Sequence, residues 1–222
     1  MNEYLSILST KKLKKEQLHQ LFQQKVRYSE YSAIKITFID FEYSSFVKNG
    51  IFTSVNSVNS VLKKRIQVET AFCVGEKTKK RLETQAIQVA VTERNARNLA
   101  ERLVEKYRGE QFTFFCGKER RDELPAILLA NKVKFDEVVT YTTSKIIKEF
   151  DTQFDVVLFF SPSGVKSFVR KNNLQNTLVF CIGNTTASEA KKHTDMVVVA
   201  NTPTVEGVLD QVLYFISNGV DK

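Results

Sequence analysis

The 222 residues include only two histidines, three cysteines and three prolines, and each shortage excludes something. His19 and His193 alone cannot furnish a His/Cys metal site, and they leave little room for a Ser/His triad. His19 falls in a helix expected over Lys15–Gln24 and His193 at a helix end, where each reads as a surface or packing residue. The cysteines are odd in number, which argues against a disulfide framework. Cys73, Cys116 and Cys181 each sit in an apolar run just before a glycine and read as buried strand cysteines. Few prolines and no long Gly/Ser stretch mean short linkers. No apolar run approaches the roughly 20 residues that span a bilayer. The opening Met1-Asn2-Glu3-Tyr4 lacks the basic and apolar regions of a secretory signal, so a cytoplasmic protein is expected. The chain contains no G-x-G-x-x-G after a strand, no G-x-x-x-x-G-K-[ST] and no G-x-S-x-G, so dinucleotide, P-loop and nucleophile-elbow sites have no support.

What the chain does have is positive charge, a net +8 with 42% hydrophobic residues. That balance points to an anionic partner. Its lysines and arginines are spread along helical stretches, as at Lys77, Lys79, Lys80 and Arg81, and most form a solvated face. No nucleic-acid recognition motif or stacking platform accompanies them. Short apolar strands alternate with amphipathic helices. Strands are expected near Leu5–Ser9, Ala33–Phe38, Gly50–Thr53, Ala71–Val74, Ile87–Val91, Phe112–Cys116, Glu137–Thr142, Val156–Phe160, Leu178–Ile182 and Met196–Ala200. Ala96–Tyr107 reads as a helix with Leu99, Leu103 and Val104 on one stripe. This alternation predicts parallel α/β sheets, and the length suits two domains of about 110 residues.

The pattern also repeats. Ile51-Phe52-Thr53-Ser54 followed by Phe72-Cys73-Val74-Gly75 echoes Phe159-Phe160-Ser161-Pro162 followed by Phe180-Cys181-Ile182-Gly183, at an offset of about 108 residues. Val89-Ala90-Val91 returns as Val197-Val198-Val199 at the same offset. Several matches at one spacing argue for a duplicated fold. In open α/β sheets ligands bind at the carboxyl ends of the strands. Those ends carry Thr53, Ser54, Gly75, Thr78, Gly117, Ser161, Ser163, Gly164, Gly183, Thr185 and Thr186. Each opens a helix, whose free N–H groups and dipole favour an anion. Plain helix capping accounts for the same Ser and Thr residues.

Read together, the motifs resemble the uroporphyrinogen-III synthase family. Ile51-Phe52-Thr53-Ser54 with Asn56 and Val58 is similar to its I-F-T-S-P-N-A-V, and Val74-Gly75 through Thr78 to its V-G-x-x-T. Gly117 through Leu124 resembles its G-x-x-x-R-x-x-L, and Val138-Val139-Thr140-Tyr141-Thr142-Thr143 its V-x-V-Y-x-T. Phe159 through Val165, Ile182 through Ala187 and Ala200 through Thr204 resemble its F-x-S-P-S-G-V, I-G-x-T-T-A and A-x-x-P-T. Thr10-Lys11-Lys12 stands where the family often has Arg-Pro; a lysine supplies a point charge without a guanidinium fork.

The resemblance implies two similar α/β domains, flavodoxin-like or HemD-like, joined by a two-stranded hinge with a cleft between them. Residues 1–35 plus 150–222 would form the first and 37–147 the second. It implies a cyclising hydro-lyase of haem biosynthesis, monomeric, without cofactor or metal, that closes hydroxymethylbilane into uroporphyrinogen III with ring D inverted through a spiro intermediate. Tyr141 would help the terminal hydroxyl leave, and the strand-end residues above would hold the substrate's carboxylates. The alternative is a two-domain anion-binding module without catalysis.

Overall fold

The structure is a computed structural model and describes residues 4–218. The chain begins with β1 (Leu5–Ser9), a short helix α1 (Lys15–Leu18), a 3-10 turn at Leu21–Gln23, β2 (Val26–Glu30) and β3 (Ile34–Phe38). Next come β4 (Phe46–Phe52), α2 (Val55–Lys63), β5 (Gln67–Val74), α3 (Glu76–Glu83), β6 (Gln88–Glu93), α4 (Ala96–Lys106), β7 (Gln111–Gly117), α5 (Glu123–Ala130) and β8 (Lys134–Lys145). It ends with β9 (Val156–Phe159), α6 (Pro162–Phe168), β10 (Leu178–Cys181), α7 (Asn184–Ala190), β11 (Val197–Val199) and α8 (Val205–Asn218).

These elements form two compact units. The first takes the chain up to Lys35 and again from Ser144 on; the second is Ile36–Thr143. The first unit's sheet runs β11-β10-β9-β1-β2 and the second's β3-β8-β7-β4-β5-β6. The neighbouring strands among β1, β2, β9, β10 and β11, and among β4 to β8, are parallel. Aligned by the repeat, β9, β10, β11, β1 and β2 occupy the places of β4, β5, β6, β7 and β8. Each set therefore has the order third-second-first-fourth-fifth, entered at a different strand. Numbered in chain order, the first unit's strands run 2-1-3-4-5, the flavodoxin order, while the second unit's run 3-2-1-4-5 from β4 onward. The second strand packs outside the first and the third outside the second, so the reversal falls between β4 and β7, and between β9 and β1.

Alternation along each buried strand sends neighbouring residues to opposite faces. In the first unit Ile7, Val156, Leu158 and Phe180 pack with Val208, Leu209 and Val212 of α8. Leu8, Val157, Phe159 and Cys181 pack with Val165 and Phe168 of α6 and Ala187 of α7. In the second unit Phe52, Cys73 and Phe115 meet Val58 and Val61 of α2 and Leu82 of α3. On its other face Ile51, Phe72, Phe114 and Cys116 meet Leu99 and Leu103 of α4 and Leu124 and Leu128 of α5. Helices on both faces explain why β9 and β10 are buried at every residue.

Two segments differ from the sequence expectation. The helix expected over Lys15–Gln24 is only α1 and the 3-10 turn. It has Leu18 and Leu21 alone to bury, and Gln24 already turns extended (φ −96, ψ 163) to deliver Val26 to the sheet. The strand β2 was not expected. It is an edge strand with partly exposed residues throughout, so Val26-Arg27-Tyr28-Ser29-Glu30 carries no apolar run.

Tyr31, just past β2, is 6% exposed, and its hydroxyl has no hydrogen-bond partner. Its ring packs edge-on to Phe150 at 5.3 Å. The Ser167 hydroxyl acts on the phenol but donates to the Ile146 carbonyl at 2.7 Å, while burial pushes the phenol up to about 12. A buried polar atom left unpaired costs about 1–3 kcal/mol. Tyr31→Phe is therefore expected to keep or raise stability, by about 1 kcal/mol, read from the midpoint of urea unfolding; a loss of that size would place a hidden partner at the hydroxyl.

Candidate functional site

In the second unit the reversal of strand order brings the carboxyl ends of β4 and β7 side by side, the position at which open α/β sheets form a crevice. Thr53 follows β4 and Ser54 caps α2 in extended conformation, its Oγ accepting the Asn56 N–H at 3.1 Å. Gly117 ends β7. Tyr141 lies opposite it on β8. A Cβ on Gly117 would stand 2.6 Å from Tyr141 Cζ and 2.7 Å from Cε2, so the ring lies directly over a residue that must be glycine. The Ser54 side chain acts on the phenol. Burial raises the Tyr141 pKa above its ordinary value, with Cys116 and Glu119 adding to the rise and Ser54 opposing it. The group thus stays protonated at neutral pH and is a hydrogen-bond donor. The structure brings Ser54, Gly117 and Tyr141 together.

How Tyr141 is aimed follows from a local irregularity. The β7–β8 register shifts between Cys116 and Gly117, pairing Cys116 with Val139 but Gly117 with Tyr141. Such bulges re-aim side chains at strand ends. Thr140, the extra residue, is fully buried. Its Oγ1 donates to the Cys116 carbonyl at 3.2 Å, and its own carbonyl accepts from Ser60 Oγ at 3.1 Å and from the Ile39 N–H at 3.0 Å.

One strand further out, Gly75 caps α3 at φ +83, a left-handed conformation that side chains resist. Its carbonyl accepts the Thr78 and Lys79 N–H groups at 3.0 and 3.2 Å. Thr78 is only 4% exposed.

The first unit repeats these devices. Ser161 caps α6, accepting the Gly164 N–H at 3.0 Å, with Pro162 in the first turn. Ser163 is half-buried and Gly164 buried. A Cβ on Gly164 would meet Ser161 Oγ at 3.4 Å and Thr10 Oγ1 at 3.5 Å. Thr10 was not among the residues expected from sequence. It follows β1 at the reversal, is 5% exposed, and donates to the Leu158 carbonyl at 2.7 Å. Gly183 precedes α7 in ordinary extended backbone and accepts the Thr186 and Ala187 N–H groups, each at 3.0 Å. Thr185 is exposed and Thr186 is 2% exposed. Thr78 and Thr186, matched by the repeat, are both turned inward, so what these two turns present outward is mainly backbone N–H. Helix N-termini and hydroxyls of this kind suit carboxylates.

Other reactive groups have structural surroundings. The three cysteines are buried and unpaired, and burial pushes the Cys116 and Cys181 thiols up to about 12. Among the described residues no group of three or more His, Cys, Asp or Glu side chains could hold a metal ion. No helix among them is long and apolar enough to cross a membrane.

Comparison with known proteins returns one family throughout. The model of the family described as uroporphyrinogen-III synthase HemD matches residues 30–210. The porphyrin biosynthesis protein HemD of Ruminiclostridium josui is 29% identical over 182 residues, which cover 75% of this chain and 36% of that protein. The chain thus spans well under half the length of that relative. The uroporphyrinogen-III synthetase of Helicobacter pylori superposes with a TM-score of 0.71 at 20% identity, over 95% of this chain and 99% of the other. A mutant uroporphyrinogen III synthase of Thermus thermophilus superposes with a TM-score of 0.65 at 9% identity, over 96% and 99%. At such identities the two solved structures speak for the fold.

Proposed function

The chain belongs to the uroporphyrinogen-III synthase HemD family, and from that premise we propose that it cyclises hydroxymethylbilane to uroporphyrinogen III. The observation that carries the proposal is the half-buried phenol of Tyr141 seated on Gly117, with Ser54 beside it at the strand reversal. In this reading the phenol donates to the terminal hydroxyl of the substrate, which leaves as water and gives an electrophilic azafulvene. The last pyrrole attacks through its substituted carbon, and the resulting spiro intermediate fragments and recloses with that ring inverted. Unaided, the azafulvene closes directly to the type I isomer. The protein's larger task is therefore to hold one conformer, which is catalysis by positioning.

The substrate's eight carboxylates meet helix N-termini and hydroxyls at Thr53, Ser54, Gly75, Gly117, Ser161, Ser163, Gly164, Gly183 and Thr185, with Thr78 and Thr186 contributing backbone N–H groups. The net charge of +8 favours its approach. The two units act as domains, and the chain passes between them within β3 and at the end of β8. The enzyme works as a cytoplasmic monomer without a cofactor; three buried free thiols suit a reducing compartment.

A product assay tests the function. Hydroxymethylbilane is generated in place, the protein added, and the oxidised uroporphyrins separated. Mainly type III, lost on heating the protein, is the expected result. Type I alone at the rate of the blank would leave an anion-binding module. Because backbone donors survive substitution, Ser161→Ala is expected to change turnover little. It removes the cap on the Gly164 N–H, so it should cost about 1 kcal/mol of stability in a urea titration.

A further inference from the structure

Tyr141 is the last residue of β8 paired to β7, because β7 ends at Gly117. The strand nevertheless continues to Lys145, and the β7–α5 turn grips it on both sides of Tyr141. Upstream, Arg120 donates through Nε to Glu137 Oε2 at 2.7 Å and pairs with Asp122. Downstream, Glu119 Oε1 accepts the Thr142 hydroxyl at 2.6 Å and Oε2 accepts the Thr143 N–H at 2.8 Å. Between them the Lys118 N–H donates to the Tyr141 carbonyl at 2.8 Å. Glu119 is exposed, and its two bonds to β8 are its visible task. Both go to residues immediately after the tyrosine.

We propose that Glu119 is a positioning residue for Tyr141: by holding the Thr142 hydroxyl and the Thr143 amide it fixes the end of β8 so that the phenol ring rests on Gly117. The proposal rests on the reading of Tyr141 as the proton donor. Without the carboxylate, β8 keeps its pairing with β3 and the Lys118 bond, but Thr142 and Thr143 lose their tie to the β7–α5 turn that carries Gly117. The fold does not need Glu119, because β8 stays anchored by its β7 pairing and by Arg120.

The test compares Glu119→Ala, Glu119→Gln, Tyr141→Phe and the double variant Glu119→Ala/Tyr141→Phe, with unfolding curves to show that each is folded. Glu119→Ala is expected to lower kcat about 10-fold with KM nearly unchanged, since small misplacement of a reacting group is costly. Glu119→Gln retains one acceptor oxygen and should fall between. In the Tyr141→Phe background the further loss should vanish, because the clamp acts through the hydroxyl that is already gone. Undiminished kcat in Glu119→Ala, or the same fold loss in both backgrounds, overturns the proposal while leaving Tyr141 as the donor. Undiminished kcat in Tyr141→Phe overturns the reading of Tyr141, and the proposal with it.

Discussion

Tyr141→Phe is expected to lower kcat by about 100-fold while KM stays close to the wild-type value. The substitution removes one oxygen and leaves the ring that rests on Gly117, so shape and packing survive. What is lost is the phenolic O–H donor. Because conformer control resides in the carboxylate contacts, the product that still forms on the enzyme should remain type III once background closure is subtracted. Initial rates of hydroxymethylbilane consumption, combined with the isomer ratio, separate the two tasks. Wild-type turnover would remove Tyr141 from the chemistry; a fall in the type III share on the enzyme would make it a shaping residue.

Gly117→Ala is expected to be at least as damaging, by a different route. The new methyl would sit 2.6 Å from Tyr141 Cζ and 2.9 Å from its hydroxyl, distances no packed carbon tolerates. The backbone cannot yield easily, since the bulge at Thr140 and the Lys118 bond to the Tyr141 carbonyl hold both strands. The ring must therefore swing off its seat, at an overpacking cost of about 1–3 kcal/mol. Turnover should fall to the Tyr141→Phe level or below, and thermal unfolding should move down by several degrees. Gly117→Ala/Tyr141→Ala should regain the stability without regaining the rate. If Gly117→Ala alone keeps full rate and stability, the ring is not seated where the structure puts it.

Much of the fold was legible because burial writes itself into the chain. Strands covered on both faces, such as Val156–Phe159 and Leu178–Cys181, can only be apolar runs, and the spacing of about 108 residues between like segments matches two sheets of one strand order. Edge elements were less legible. The strand Val26–Glu30 meets solvent along much of its length and has no reason to look like a strand locally. The site was visible as residue types, with hydroxyls and glycines at strand ends. What makes it a geometry was not visible. The orphan hydroxyl of Tyr31, the contact of Thr10 with Gly164 and the grip of Glu119 on Thr142 and Thr143 join segments distant in sequence. A weak signal did exist for the last, an acid two residues past Gly117 and two threonines directly after Tyr141.

Entering one sheet order at two different strands also sets a timetable for folding. The second unit lies in one stretch of chain, Ile36–Thr143, so its sheet is complete once β8 has been made to pair with β3 and β7. In the first unit β1 must wait for β9, and Ser6 for its bonds to Asp155 across 149 residues. Closing so long a loop costs little in stability, since each doubling adds only about 0.6 kcal/mol, but distant pairings are slow to find. During synthesis β1 and β2 are an unfinished two-stranded fragment, unstable alone in water, while the second unit is already complete. The slow phase of refolding is thus assigned to the first unit, and nascent chains halted before Val156 would carry one finished domain and one exposed sheet edge for chaperones to cover.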